Sequence, residues 1–167
     1  MDIVVIRNDI TTLEVDAVVR PSSESGVGAQ GVSEKILERG GSPMSQALSS
    51  LRPPRIGEAV MTPGGQLPCR FVIHSPVQLD ASAVPTLDNV KKGILAAVRC
   101  AEDHQLRSIA MPNMGLGGDA SARTRAARAI LAMLAGFQTR QLSRILLVDN
   151  DEITLRAYES ALEAIRE

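Results

Sequence analysis

Six short runs of β-branched and other apolar residues punctuate the chain, at 3–6, 15–19, 59–61, 71–74, 109–111 and 145–148. Most are bounded by polar residues, glycine or proline, the pattern of strands packed into a core. Helical periods fill the longer intervals. Over 87–104, Val90, Ile94, Ala97, Val98 and Ala101 recur at steps of three and four and mark one apolar face. Over 122–137 the same design returns in Ala126, Ala127, Ile130, Leu131 and Leu134, with alanines that allow close approach to a sheet. Tyr158, Leu162 and Ile165 form the expected inner face of a last helix. Near the front, 31–39 is helical in pattern until Gly40 and Gly41, after which Ser42 and Pro43 suit a fresh helix start, so a break is expected there.

Strand and helix alternate through most of the chain, with one early and one central pair of strands consecutive. The order predicts an α/β protein, a mixed sheet between helices in a three-layer α/β/α sandwich. At 167 residues the chain suits a single domain over 1–167. Composition agrees with a folded core, since 44% of residues are hydrophobic and no low-complexity tract interrupts them.

Charge narrows the partners. The net charge of -1 gives no overall attraction to nucleic acid or anionic lipid, so an anionic ligand must be held locally. Phe71, Phe137 and Tyr158 are the only aromatics, too few for a single-strand stacking platform. No apolar run approaches the roughly 20 residues that span a bilayer. Cys69 and Cys100 lack metal-ligand spacing and accompany no signal peptide, which points to free thiols and a cytoplasmic location. No metal or cofactor is expected.

Ligands of open α/β sheets sit beyond the carboxyl ends of strands, where loops enter helix N-termini. Two such loops are glycine-rich: 25–32, containing Gly26, Gly28 and Gly31, and 114–119, containing Gly115, Gly117 and Gly118. Their backbone N–H groups can line a diphosphate without side-chain interference. Neither is a P-loop or a Gly-x-Gly-x-x-Gly fingerprint. Asp119 beside the second loop reads as a helix N-cap rather than a phosphate ligand.

Other chemistry-bearing residues read as structural. Asp149, Asn150, Asp151 and Glu152 after the last strand look like the opening of a receiver domain, but too little chain follows for its phospho-acceptor strand. The acids instead suit a helix first turn. His74 in an apolar run and His104 at a helix end have no Ser or Cys company for a triad. They read as core or helix-end residues.

Four stretches, in this order and spacing, resemble the macro domain family over essentially the whole chain. They are Asn8 to Thr11; Asp16 to Ser23 running into the first glycine loop; 56–62 with 67–74; and 108–112 leading to the second loop. The Arg-Pro-Ser-Ser turn at 20–23 and the strand ending at His74 look closest to the macro domain of the large histone variant and its bacterial relatives. The resemblance implies a six-stranded mixed sheet with ADP-ribose in a cleft across the strand ends. By the same resemblance, Asp9 accepts from the adenine amino group with Ile10 N–H beside it. Gly28, Gly31 and Val32 hold the diphosphate and distal ribose, and Gly115, Leu116 and Gly117, with Gly118, cover the phosphates.

Departures from the pattern are concentrated at the site. Ser23 and Arg20 stand where hydrolytic members carry asparagines, and Ser33 replaces the aspartate that positions water. Asn150 occupies the place of an adenine-stacking aromatic, a contact worth about 1 to 3 kcal/mol. Arg20 reads as a solvated strand-end charge or, alternatively, as a phosphate clamp. Ser33 has no neighbouring base in sequence to activate it, so no catalytic residue is expected. The expected function is binding of ADP-ribose, a derivative of it or an ADP-ribosylated protein, without efficient turnover. The alternatives are an ADP-ribosyl hydrolase or processor of ADP-ribose phosphate or its acetyl ester, and a domain refitted for another ligand or a protein contact.

Overall fold

The computed structural model describes residues 1–26 and 31–167. Along the chain run β1 (Asp2–Arg7), a single 3-10 turn (Ile10–Thr12), β2 (Ala17–Ser23), α1 (Val32–Ser49), β3 (Val60–Pro63), β4 (Phe71–Gln78), α2 (Leu87–Asp103), β5 (Ser108–Met111), α3 (Ala120–Ala135), β6 (Arg144–Asp149) and α4 (Glu152–Arg166). The strands form one sheet in the order β1-β6-β5-β2-β4-β3. All pairs are parallel except β3 with β4. The expected mixed sheet is present, and the early consecutive pair, β1 and β2, is separated in it by β6 and β5.

Strand alternation sorts the core into two layers. Ile3, Ala17, Val19, Ile73, Ile109, Met111, Ile145 and Leu147 face α2, α3 and α4, while Val18, Val72, Ala110 and Val148 face α1 with its Ile36 and Met44. Every apolar residue singled out on α2 is buried. On α4 the face is rotated from expectation: Leu155, Tyr158 and Ala161 are buried, whereas Ile165 is exposed. The α1 break falls at Gly41, whose φ of 70° and ψ of -167° interrupt the helix.

Two strands exceed their hydrophobic runs. β2 begins at Ala17 and continues through Pro21 to Ser23, and β4 continues through Pro76 to Gln78. Proline is tolerated in a strand where one edge needs no donor. Beyond Val18, β2 has lost β5, and beyond His74, β4 has lost β3, so the two tips pair only with each other, Pro21 opposite Ser75 and Ser22 opposite Pro76. These one-sided tips carry the site region past the rest of the sheet.

Candidate functional site

A cleft of about 510 Å³ lies at the carboxyl ends of β1, β5 and β6, lined by Asn8, Asp9 and Ile10 after β1, Asn113 after β5, Asp149 at the end of β6 and Asn150 after it. Val32 and Lys35 of α1 and Arg123 of α3 complete its walls. Three helix N-termini therefore converge on it. Asp119 caps α3 by accepting from Ala122 N at 2.8 Å, and Asp151 caps α4 by accepting from Thr154 N at 3.0 Å. Asp119 is thus the helix cap expected of it, and of the acids expected in the first turn of the last helix Glu152 lies there while Asp151 is the cap itself. α1 differs: Gly31, at φ 75°, offers no side chain to its first turn. First-turn N–H groups that receive no side-chain cap among the described residues are a ready anion site.

Asp9 is fixed before any ligand arrives. Its Oδ1 accepts from Thr11 N at 3.0 Å and from Thr11 Oγ1 at 2.6 Å, while Oδ2 accepts from Lys35 Nζ at 2.8 Å. Hydrogen bonds from Lys35 and Thr11 hold its pKa down to about 2, so it is a carboxylate acceptor at any physiological pH. A carboxylate offers about four lone-pair sites. Three are used here, leaving one on Oδ2 for a further donor. Lys35 was not singled out in the sequence: it lies 26 residues from Asp9 on another element, and only its place one helical turn after Val32 hints that it shares the cleft.

The second glycine loop is braced from within. Asn113 Oδ1 accepts from Gly115 N at 2.9 Å and Leu116 N at 2.6 Å, while Asn113 Nδ2 donates to Leu116 O at 3.0 Å. Two of the N–H groups expected to face phosphate are therefore engaged with this side chain, in an Asx-type turn. Gly115 lines the main cleft and also a smaller neighbouring one of about 270 Å³, where Leu116, Gly117 and Gly118 lie with Val84, Pro85 and Leu87. Arg123 ties the loop to α4, donating to Gly118 O at 3.0 Å and to Asp151 and Thr154.

Arg20 is not the solvated charge expected of a strand end: it is 2% exposed. Its position on the even-numbered face of β2 turns it toward α1. There Nε donates to His74 Nδ1 at 2.7 Å and Nη1 to Ser33 Oγ at 2.9 Å. Arginine has only donors, so His74 Nδ1 is the acceptor and the ring proton sits on Nε2, donated to Thr62 Oγ1 at 2.8 Å. Burial, reinforced by the guanidinium, lowers the His74 pKa to about 3, and burial lowers that of Arg20 to about 10. Two positions that depart from the hydrolytic pattern, Arg20 and Ser33, are thus in direct contact. Ser33 is fully buried and bonded to a cation rather than to a base.

The expected site residues consequently fall in separate places. Asp9, Ile10, Val32, Gly115 and Asn150 share the main cleft. Leu116, Gly117 and Gly118 line its neighbour. Arg20 and Ser23 line a third cavity on the α1 side. Gly31 heads α1 and is exposed, and Gly28 lies outside the described residues. The remaining histidine, His104, closes α2, where its Nδ1 lies 2.8 Å from Cys100 O. No helix among the described residues is long and apolar enough to cross a membrane.

A six-stranded mixed sheet of this order, between helices and with a cleft at its strand ends, defines a three-layer α/β/α fold, and comparison with known proteins names it. The family model described as "Macro domain" matches residues 19–130. An uncharacterised protein of Aquifex aeolicus is 31% identical over 162 residues, covering 97% of this chain and 98% of the relative. A Mus musculus protein named ADP-ribose glycohydrolase MACROD1 is 32% identical over 130 residues, covering 77% of this chain and 40% of that protein. Among solved structures, the Oceanobacillus iheyensis macrodomain with ADP superposes with a TM-score of 0.80 at 22% identity, over 97% of this chain and 90% of that one. The chain belongs to the macro domain family.

Proposed function

We propose that the cleft binds ADP-ribose, free or attached to a protein, and that it does so without efficient hydrolysis. The observation that carries the binding half is Asp9, an ionised acceptor with one lone-pair site open, beside the N-terminus of α1, which has no side-chain cap among the described residues. An adenine amino group suits the first and a diphosphate the second. Neighbours solved with ADP support the same ligand class. Asn150 at the cleft wall offers no ring for the base, which argues for affinity below that of members with an aromatic there.

The second half rests on Ser33. A water attacking an ADP-ribosyl bond needs a base, and this hydroxyl accepts from Arg20 instead of activating anything. A second reading, ADP-ribosyl hydrolysis with water positioned by the ligand's own phosphates, is motivated by the relative named as a glycohydrolase.

Calorimetric titration with ADP-ribose tests the first reading. Binding is expected, and Asp9→Ala should weaken it about tenfold or more, the worth of a hydrogen bond to a charged group. Absence of heat up to millimolar ligand would sink the proposal. Release of ADP-ribose from a modified protein substrate above the buffer rate would favour the hydrolase instead.

A further inference from the structure

Lys35, Arg123 and Arg20 stand around the nucleotide cleft and the first turn of α1, and two of these cations are already neutralised. Lys35 pairs with Asp9 at 2.8 Å and Arg123 pairs with Asp151, both on partly exposed side chains. Arg20 differs from them. The residue is 2% exposed, no carboxylate pairs with it among the described residues, and residues 27–30 carry none. Its partners are neutral, the His74 ring through Nε and the Ser33 hydroxyl through Nη1. Buried cations are normally paired with an opposite charge.

Ser33 is the second residue of α1, so the guanidinium lies one side chain away from a first turn that receives no side-chain cap among the described residues. The positive end of the α1 dipole and a full positive charge therefore face each other across one hydroxyl, with little water to screen them. Like charges so placed repel, and an anion at the first turn relieves the repulsion. Desolvation lowers the guanidinium pKa to about 10, yet leaves it charged at neutral pH.

Resting on the ADP-ribose reading, we propose that Arg20 is a positioning residue for the ligand's diphosphate. Without touching the ligand, its buried charge strengthens the anion site at the first turn of α1, and its bond to Ser33 holds that turn in place. The same placement makes it a determinant of selectivity. A nucleotide with a diphosphate gains from the charge, whereas a nucleoside with the same base and ribose gains nothing from it.

Titration of the whole chain with ADP-ribose and with adenosine tests this, at about pH 6, which favours the charged form of a buried lysine. Arg20→Gln keeps a donor and loses the charge. It should weaken ADP-ribose binding about tenfold or more and leave adenosine binding within about twofold of wild type. Arg20→Lys keeps the charge and should hold ADP-ribose affinity within about threefold. Urea unfolding establishes that each variant is folded. Should neither fold, the wild type decides by salt, because the partly exposed Lys35 and Arg123 are screened and the buried Arg20 is not. The ratio of ADP-ribose to adenosine affinity should then fall less than about threefold from about 0.05 to about 0.5 M salt. The inference is overturned if Arg20→Gln binds ADP-ribose as wild type, if the Gln and Lys variants lose ADP-ribose affinity equally, if Arg20→Gln loses adenosine affinity in the same proportion, or if salt lowers the ratio about tenfold. Wild-type protein that binds no ADP-ribose overturns the nucleotide reading itself, so the two failures are told apart.

Discussion

Arg20 and His74 meet the same loss of water and answer it differently, because the guanidinium starts far above neutral pH and the imidazole close to it. Arg20 keeps its proton with a pKa of about 10, while His74 refuses one until about pH 3. In the unfolded chain His74 protonates near the ordinary imidazole value of 6.5. Between those limits the unfolded state binds the extra proton, so stability is full above about pH 6.5 and falls as pH drops toward 3. The slope is at most one proton, about 1.4 kcal/mol per pH unit. Urea unfolding midpoints measured from pH 7 to 4.5 should therefore decline, and His74→Gln, which cannot titrate, should flatten that decline. Asp9 acts lower: its pKa of about 2 gives stability that is present above its usual 3.8 and lost only below it.

Elements are held by close approaches and caps more than by propensity. Gly93 sits inside α2, where alanine would gain about 1 kcal/mol of helix propensity. Here an added Cβ would lie 2.7 Å from Val77 Cγ1 and 3.1 Å from Pro76 O, because α2 is pressed against the tip of β4. Overpacking of that kind costs about 1 to 3 kcal/mol, so Gly93→Ala should lower stability in a denaturant titration despite the propensity gain. At the other end of the sheet, Asp151→Ala removes the α4 cap and a partner of Arg123. A loss of about 1 kcal/mol is expected, with faster amide exchange in the first turn of α4 as its local signature.

For the molecule as a whole, the cleft at the strand ends joins loops from β1, β5 and β6 to three helix N-termini, so a ligand there touches widely separated parts of one sheet. Binding to the folded state alone should raise global stability. At a free ADP-ribose concentration 100 times its Kd, unfolding should cost about 2.7 kcal/mol more, with the denaturant slope unchanged.

Local pattern was enough for the sheet, the helices, the Gly41 break and the Asp119 cap, because periodicity, positive φ and capping are set by neighbours in sequence. It was not enough for β2 and β4 beyond their apolar runs, where prolines and serines speak against a strand and only the absence of a second neighbour admits them. Nor could it place the side chains that matter most. Lys35 reaches Asp9 across 26 residues and Arg20 reaches His74 across 54. Residues so far apart in sequence are joined by strand register and helix docking, and a strand-end arginine looks the same in sequence whether it faces water or a helix. The chain's own pattern therefore determined which elements form and where a cleft opens, while the tertiary packing alone decided that Arg20 is buried against His74 and Ser33 instead of facing water.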